Sequence, residues 1–312
     1  MRAGPARGQT GSTARSGTRG FIVIAVLWIL AALSALVLIY LTFVTSTAVV
    51  VAGSTDRVQA EALVEAGLEL AALQLTGRGE TLRPTSGTFN ARLGSGRVFV
   101  TFRSEAARID LNATSKGLLA GLMTGLGATP SDAAAYADRI VGWRMPAASA
   151  EDDTENSLYR ISGAPYLPRH AAFPGVAELW LVRGIPPEIV ERVLPFVTVF
   201  SNMAQVNVRD AAPQVLAALP NMTPERLQSL LSRRSDPALD PVALIGLTGG
   251  EGATLAGSPA YRVDVEVELA NGRRAAAEIV ILLLETGDEP YRVLSWRNAA
   301  DGSALPQRAA SR

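Results

Sequence analysis

Few residues in this 312-residue chain could do chemistry, and their spacing narrows what they could do. There is no cysteine and a single histidine, His170. Thiol catalysis, disulfides, Cys/His zinc sites and any mechanism that needs two imidazoles are thereby excluded. A Ser-His-Asp triad would have to use His170, which lies in Pro168-Arg169-His170-Ala171 with no trace of the third group that orients a triad histidine. It reads as a solvated loop residue. The densest carboxylates are in Glu151-Asp152-Asp153-Thr154-Glu155-Asn156. A pair such as Asp152 and Glu155 could serve acid/base chemistry, yet nothing around it marks a pocket, and no enzyme is expected. The remaining motif, Leu122-Met123-Thr124-Gly125-Leu126-Gly127, is similar to a helix-hairpin-helix turn, whose glycines expose backbone N–H groups that can hold a phosphate. Charge tests that idea. Residues 112–245 carry 11 Lys and Arg against 13 Asp and Glu with no basic run, whereas a phosphate-gripping domain needs a basic face. The whole chain is neutral, with 29 basic and 29 acidic residues, so no nucleic-acid partner is expected.

The elements that carry these residues begin with a membrane segment. Residues 2–19 contain four arginines and no acid, and Phe21 to Phe43 then runs 23 residues with only Ser34 and Thr42 polar. At ~1.5 Å per residue this crosses a hydrocarbon core of about 30 Å. A cleaved secretory signal has an apolar region of only about 7 to 15 residues. The run therefore reads as an anchor, and the arginines place its N-terminal side in the cytoplasm. Apolar character continues through Ala48-Val49-Val50-Val51-Ala52 and then as a helix-like stripe of Leu63, Gly67, Leu70 and Leu73, with Glu61, Glu65 and Glu69 spaced four apart. No proline occurs from Phe21 to Arg83. The pattern predicts one helix of about 55 residues, roughly 80 Å long, or a membrane helix followed by a separate one, with Gly53 as the place for a kink.

Beyond Gly77 the period changes to two. Arg97 to Arg103 and Tyr261 to Leu269 alternate, the latter leading through Asn271-Gly272, a hairpin turn pair, into Ala275 to Leu284, with a further strand at Tyr291 to Trp296. Between these strands, residues 112–245 read as helices. Three open with proline in the first turn followed by an acid, at Pro130, Pro187 and Pro224, where the missing N–H costs nothing and the carboxylate faces the helix dipole. Ile109 to Leu122 aligns without gaps to Val206 to Leu219, an internal repeat running from a strand-like triplet into a helix. In the second copy Pro220-Asn221-Met222-Thr223 replaces the glycine turn. The fold class expected is α+β: a long N-terminal helix, an α/β head, and an inserted helical domain with helix-hairpin-helix-like repeats.

Taken in order, these segments resemble a known family. The leader ending in Gly20, Phe21 opening the apolar helix with Val26-Leu27-Trp28, Ala62 to Glu69, Ile109-Asp110-Leu111-Asn112, Asp138 to Arg144, Glu178 to Gly184 and Leu194 to Val199 are similar to the type II secretion system minor pseudopilins of the general secretion pathway protein K family. The resemblance covers almost the whole chain and implies a domain plan: a prepilin leader at 1–20, a transmembrane and amphipathic helix at 21–76, a pilin-like head at 77–111 and 246–300, a helical insert at 112–245 and a tail at 301–312. It implies cleavage by a prepilin peptidase between Gly20 and Phe21, with N-methylation of Phe21.

It further implies a non-enzymatic role, capping the tip of a pseudopilus and nucleating its assembly. Partners would be other minor pseudopilins and the major pseudopilin, with the head periplasmic and the anchor in the inner membrane. Most pilin-like chains carry a glutamate five residues into the mature helix, where its charge pairs with a neighbour's N-terminal ammonium; here that position is Ala25, which marks a tip subunit. Calcium binding is a family property too, and Glu151, Asp152, Asp153 and Glu155 are its candidate ligands. The family pattern has aspartates directly after the tryptophan, whereas this chain reads Trp143-Arg144-Met145-Pro146. The alternative reading is a membrane-anchored DNA receptor of a competence or pilus type system built on the hairpin repeat.

Overall fold

The computed structural model describes residues 18–77, 83–146, 154–236 and 240–298, and within the first helix it describes side chains over 23–41 and from 56 onward. Helix α1 is Thr18–Thr76, 59 residues long. The chain separates into two compact units, residues 1–59 and 60–312. In the first, Val23–Leu41 forms a helix apolar and long enough to cross a membrane, none of it covered by the chain itself.

In the second unit the sheet is antiparallel and ordered β1-β2-β7-β8-β9. Its strands are β1 (Ser86–Leu93), β2 (Gly96–Ser104), β7 (Ala260–Glu268), β8 (Arg274–Leu283) and β9 (Tyr291–Asn298). Strict alternation builds it: Val98, Val100 and Phe102 of β2 and Val263, Val265 and Val267 of β7 turn to one face and are buried. Ala60, Leu63, Val64, Leu68, Ala71, Ala72 and Leu75 recur at helical spacing and close that face as one core. The helix comes so near the sheet that a Cβ at Gly67 would stand 2.8 Å from both Val265 and Val98. The Asn271-Gly272 turn is present, with Gly272 at φ +80° and the Arg273 N–H donating to Asn271 Oδ1 at 3.1 Å. Strand β1, which periodicity did not single out, is half-exposed along its whole length, so no clean apolar face was there to be read.

Between β2 and β7 lie seven helices: α2 (Lys116–Gly125), α3 (Pro130–Arg144), α4 (Thr154–Ile161), α5 (Pro187–Val193), α6 (Pro213–Ala217), α7 (Pro224–Arg233) and α8 (Pro241–Gly246), as described. All three proline-marked starts are helix starts, and Thr129 and Thr223 cap two of them by accepting from the N–H groups of Asp132 and Arg226. Two-residue parallel strand pairs join the helices: β3 (Ile109–Asp110) with β4 (Val197–Thr198), and β5 (Val206–Asn207) with β6 (Ala253–Thr254). The domain has its own core, which includes Leu118, Leu122, Ile140, Trp143, Tyr159, Val215 and Leu216.

The sequence repeat is a structural one. Asp110 and Asn207 are equivalent in the alignment, and each turns the chain by accepting from the backbone N–H two residues on, Asn112 at 2.8 Å and Arg209 at 3.0 Å. Thr114 and Ala211 are equivalent as well, and their carbonyls accept from Arg144 (2.6 Å) and Arg234 (2.7 Å) at the C-terminal ends of α3 and α7. Gly121 and its equivalent Ala218 face one another, which puts α2 against α6. The lost glycine turn of the second copy changes little. Gly127 (φ +104°) and Asn221 (φ +59°) each stand two residues before the capping threonine, and asparagine tolerates the left-handed conformation that the turn needs.

Candidate functional site

Glycine 20 and phenylalanine 21, the expected cleavage pair, lie within α1, but their side chains fall outside the described ones. Ala25 sits in the exposed apolar stretch, where a helix without acids from Val23 to Leu41 puts no charge into a hydrocarbon layer. In the head, the face of α1 turned away from the sheet carries Glu61, Glu65 and Glu69, all exposed, and ends at Leu73. Tyr291, the first residue of β9, donates its hydroxyl to Glu69 at 2.6 Å. Burial pushes that phenol up to about 12, and the Glu69 and Glu65 carboxylates push the same way. The strand continues with Val293 and Trp296, both exposed, along the open edge of the sheet.

Of the expected calcium ligands, Glu151, Asp152 and Asp153 lie outside the described residues. Glu155 is buried on α4, where it pairs with Arg139 of α3 at 2.8 Å and lies over Gly142. The approach is close, since a Cβ at Gly142 would stand 3.0 Å from the carboxylate, which would have to shift slightly. An acid already neutralised by a guanidinium and packed into a helix pair is a poor ligand for a hard cation, and no cluster of three or more metal-binding side chains occurs among the described residues. The departure at Arg144 has a physical reason. Its guanidinium donates to the carbonyls of Leu111 and Thr114, filling with a fixed cation the turn that starts at Asp110. Burial lowers its pKa and the nearby Asp110 opposes the shift.

His170 lies in a loop and is partly exposed, as expected, but it is also held by its neighbours. It sits at φ +52°, with Nδ1 3.0 Å from the Met145 carbonyl and Nε2 3.2 Å from Asn156 Oδ1. It thus spans the two ends of the stretch that holds the acidic residues. The glycine turn after α2 spends its N–H groups internally: Leu126 donates to Leu122, Gly127 to Thr124 and Ala128 to Met123. Those three donors are turned into the chain and not toward a phosphate.

Sequence reasoning missed the polar residues between the two cores, Glu105 and Arg262 above all. Arg262 stands in an alternating strand, where period two puts it on the outer face and says nothing of what covers that face. It is 8% exposed.

Known proteins match this arrangement. Residues 101–202 match the family model for type II secretion system (T2SS) protein K. Type II secretion system protein K of Pseudomonas aeruginosa is 24% identical over 181 residues, 54% of this chain and 52% of that protein, so the match spans about half the length of that relative. In fold, the chain is similar to one from the crystal structure of the GspK-GspI-GspJ complex of the enterotoxigenic Escherichia coli type 2 secretion system. The TM-score is 0.58 at 17% identity, over 80% of this chain and 99% of that one. With its apolar N-terminal helix, its helix-on-sheet head and its helical insert, the chain is similar to type II secretion system protein K, whose family model it matches over residues 101–202.

Proposed function

We propose that this protein works by assembly and not by catalysis, as the subunit that caps a type II secretion pseudopilus and nucleates it together with other minor pseudopilins. The observation that carries the reading is one chain holding an uncovered apolar helix, a helix-on-sheet head and a bulky helical insert. A head of this kind can stack, and the insert is too large to repeat within a thin filament, which suits an end position. Assembly with other minor pseudopilins is supported by the complex in which the structural relative was solved. The major pseudopilin would follow below them. In cells, cross-links from the head should reach minor pseudopilins and cluster at one filament end; cross-links spread along the shaft would sink the capping role.

The same proposal includes maturation. A prepilin peptidase would cut after Gly20, and Phe21 would become a methylated N-terminus in the inner membrane, with the basic leader cytoplasmic and the head periplasmic. Mass spectrometry of the mature chain decides this, since a chain still beginning at Met1 beside an active peptidase contradicts it. Ala25 fits a subunit with no neighbour above it, and Ala25→Glu would let the subunit enter the shaft. Calcium enters in a reduced form, in which Glu151, Asp152 and Asp153 supply the ligands and Glu155 joins only by leaving Arg139. Calorimetry on the full chain in detergent tests it, and absence of heat on adding calcium removes it.

A further inference from the structure

Two hydrophobic cores, one under the sheet and one among the helices, meet along a buried polar seam. The chain leaves the sheet at Ser104 and returns at Ser258, and these crossings are tied to each other by the Ser258 N–H donating to Ser104 Oγ at 2.8 Å. Directly after Ser104 comes Glu105, which is 1% exposed. Its Oε1 accepts from Arg262 Nε at 2.8 Å, and its Oε2 accepts from Arg262 Nη2 at 3.2 Å and from the hydroxyl of Thr198 on β4 of the insert. Arg262 also reaches Glu278 on β8, which takes Arg297 on β9. Away from this network, Ser86 on β1 donates to Asp210 Oδ1 at 2.7 Å, and Asp210 belongs to the second repeat. The return path is pinned too, since Asn207 Nδ2 donates to the carbonyls of Leu255 (3.0 Å) and Ala256 (3.2 Å).

Stability does not explain such a seam. Two carboxylates and the Arg262 guanidinium, taken from water, lose about as much solvation as their mutual attraction returns, and apolar replacements of such sets are often neutral or stabilising. Direction is what they supply. A carboxylate fork on a guanidinium forms in one relative placement and not in others, unlike an apolar contact, which can slide. The two chain crossings alone would act as a hinge. The Thr198 and Ser86 ties, one at the β2/β7 centre of the sheet and one at its β1 edge, remove the rotation that a hinge would leave.

We propose that this seam is an orientation lock, which holds the inserted helical domain in one placement on the pilin-like sheet. Any partner docking on the insert then meets a fixed angle to the sheet, whatever that partner is; the lock does not depend on the capping role. The chain has no cysteine, so two introduced ones report the placement without background. Spin labels at Thr101→Cys on β2 and Gln228→Cys on α7, both exposed, give an inter-label distance in the full-length protein in detergent. The locked protein shows one narrow distance population. Ser86→Ala with Thr198→Val removes both ties with little change in volume and adds a second population, and Glu105→Ala adds the same one. A single unchanged population in the tied-off variants, with circular dichroism intact, overturns the lock, even where the unfolding midpoint has dropped. Should Glu105→Ala fail to fold, the Ser86→Ala/Thr198→Val pair decides alone.

Discussion

Replacing Gly121 by alanine isolates the contact that joins the two repeats. A Cβ at this position would stand 2.4 Å from the carbonyl oxygen of Ala218 and 3.2 Å from two other backbone atoms of that residue. The obstacle is backbone and cannot rotate away, so α2 and α6 must part by roughly an ångström before the contact becomes an ordinary one. Overpacking of this kind costs typically about 1–3 kcal/mol, and the absence of a yielding side chain places it toward the upper end. Against that, alanine is better than glycine in a helix interior by about 1 kcal/mol. The net expectation is a loss of ~1–2 kcal/mol. Gly125→Ala in the same helix is the control, because nothing lies within 4 Å of its Cβ position. There only the propensity term acts, and the variant should be neutral or more stable by up to about 1 kcal/mol. Denaturant unfolding of the detergent-solubilised chain, followed by fluorescence of the buried Trp143, measures both. A Gly121→Ala protein as stable as its Gly125→Ala counterpart would refute the claim that the repeats meet backbone to backbone at this point.

Arg144→Met removes the donor from two buried carbonyls, each costing about 1–3 kcal/mol when left unsatisfied, so a loss of roughly 2–6 kcal/mol is expected, and Arg144→Lys should recover only part of it. Thermal unfolding checks the order of the two variants. Burial opposes ionisation of Glu278, but Arg262 and Arg297 outweigh it and hold its carboxyl below the usual range. Its contribution to stability is then complete above the unfolded value of about 4.3 and lost as pH falls through the lower folded value; Glu278→Gln should flatten that part of the acid profile. Tyr291 has the opposite sign. With a folded pKa raised to about 12, its contribution is complete below the unfolded value of about 10 and disappears as pH climbs to 12, a loss that Tyr291→Phe should not show.

Much of the architecture was legible in local pattern. The apolar run from Phe21, the alternating strands around Val98 and Val263, the Asn271-Gly272 turn and the proline-marked helix starts each rest on a rule that operates within a few residues, and each has the structure it implied. The repeat was legible for the same reason. Asp110 and Asn207 each accept from the backbone N–H two residues on, a contact within a few residues of the chain.

What local pattern could not supply is company. Glu155 reads as one of a run of acids, and only the packing of α4 on α3 commits it to Arg139. Asn221 reads as the loss of a glycine, until its left-handed backbone puts it in the role of Gly127. Glu105 and Arg262 stand 157 positions apart, and each is unremarkable on its own strand or turn. Hydrophobic periodicity determines which face of an element is buried, because one residue's neighbours along the chain are enough to fix it. Which charge lies opposite that face, and hence how the helical insert is held on the sheet, is decided only when separate segments fold together, since a hydrogen bond needs both of its ends.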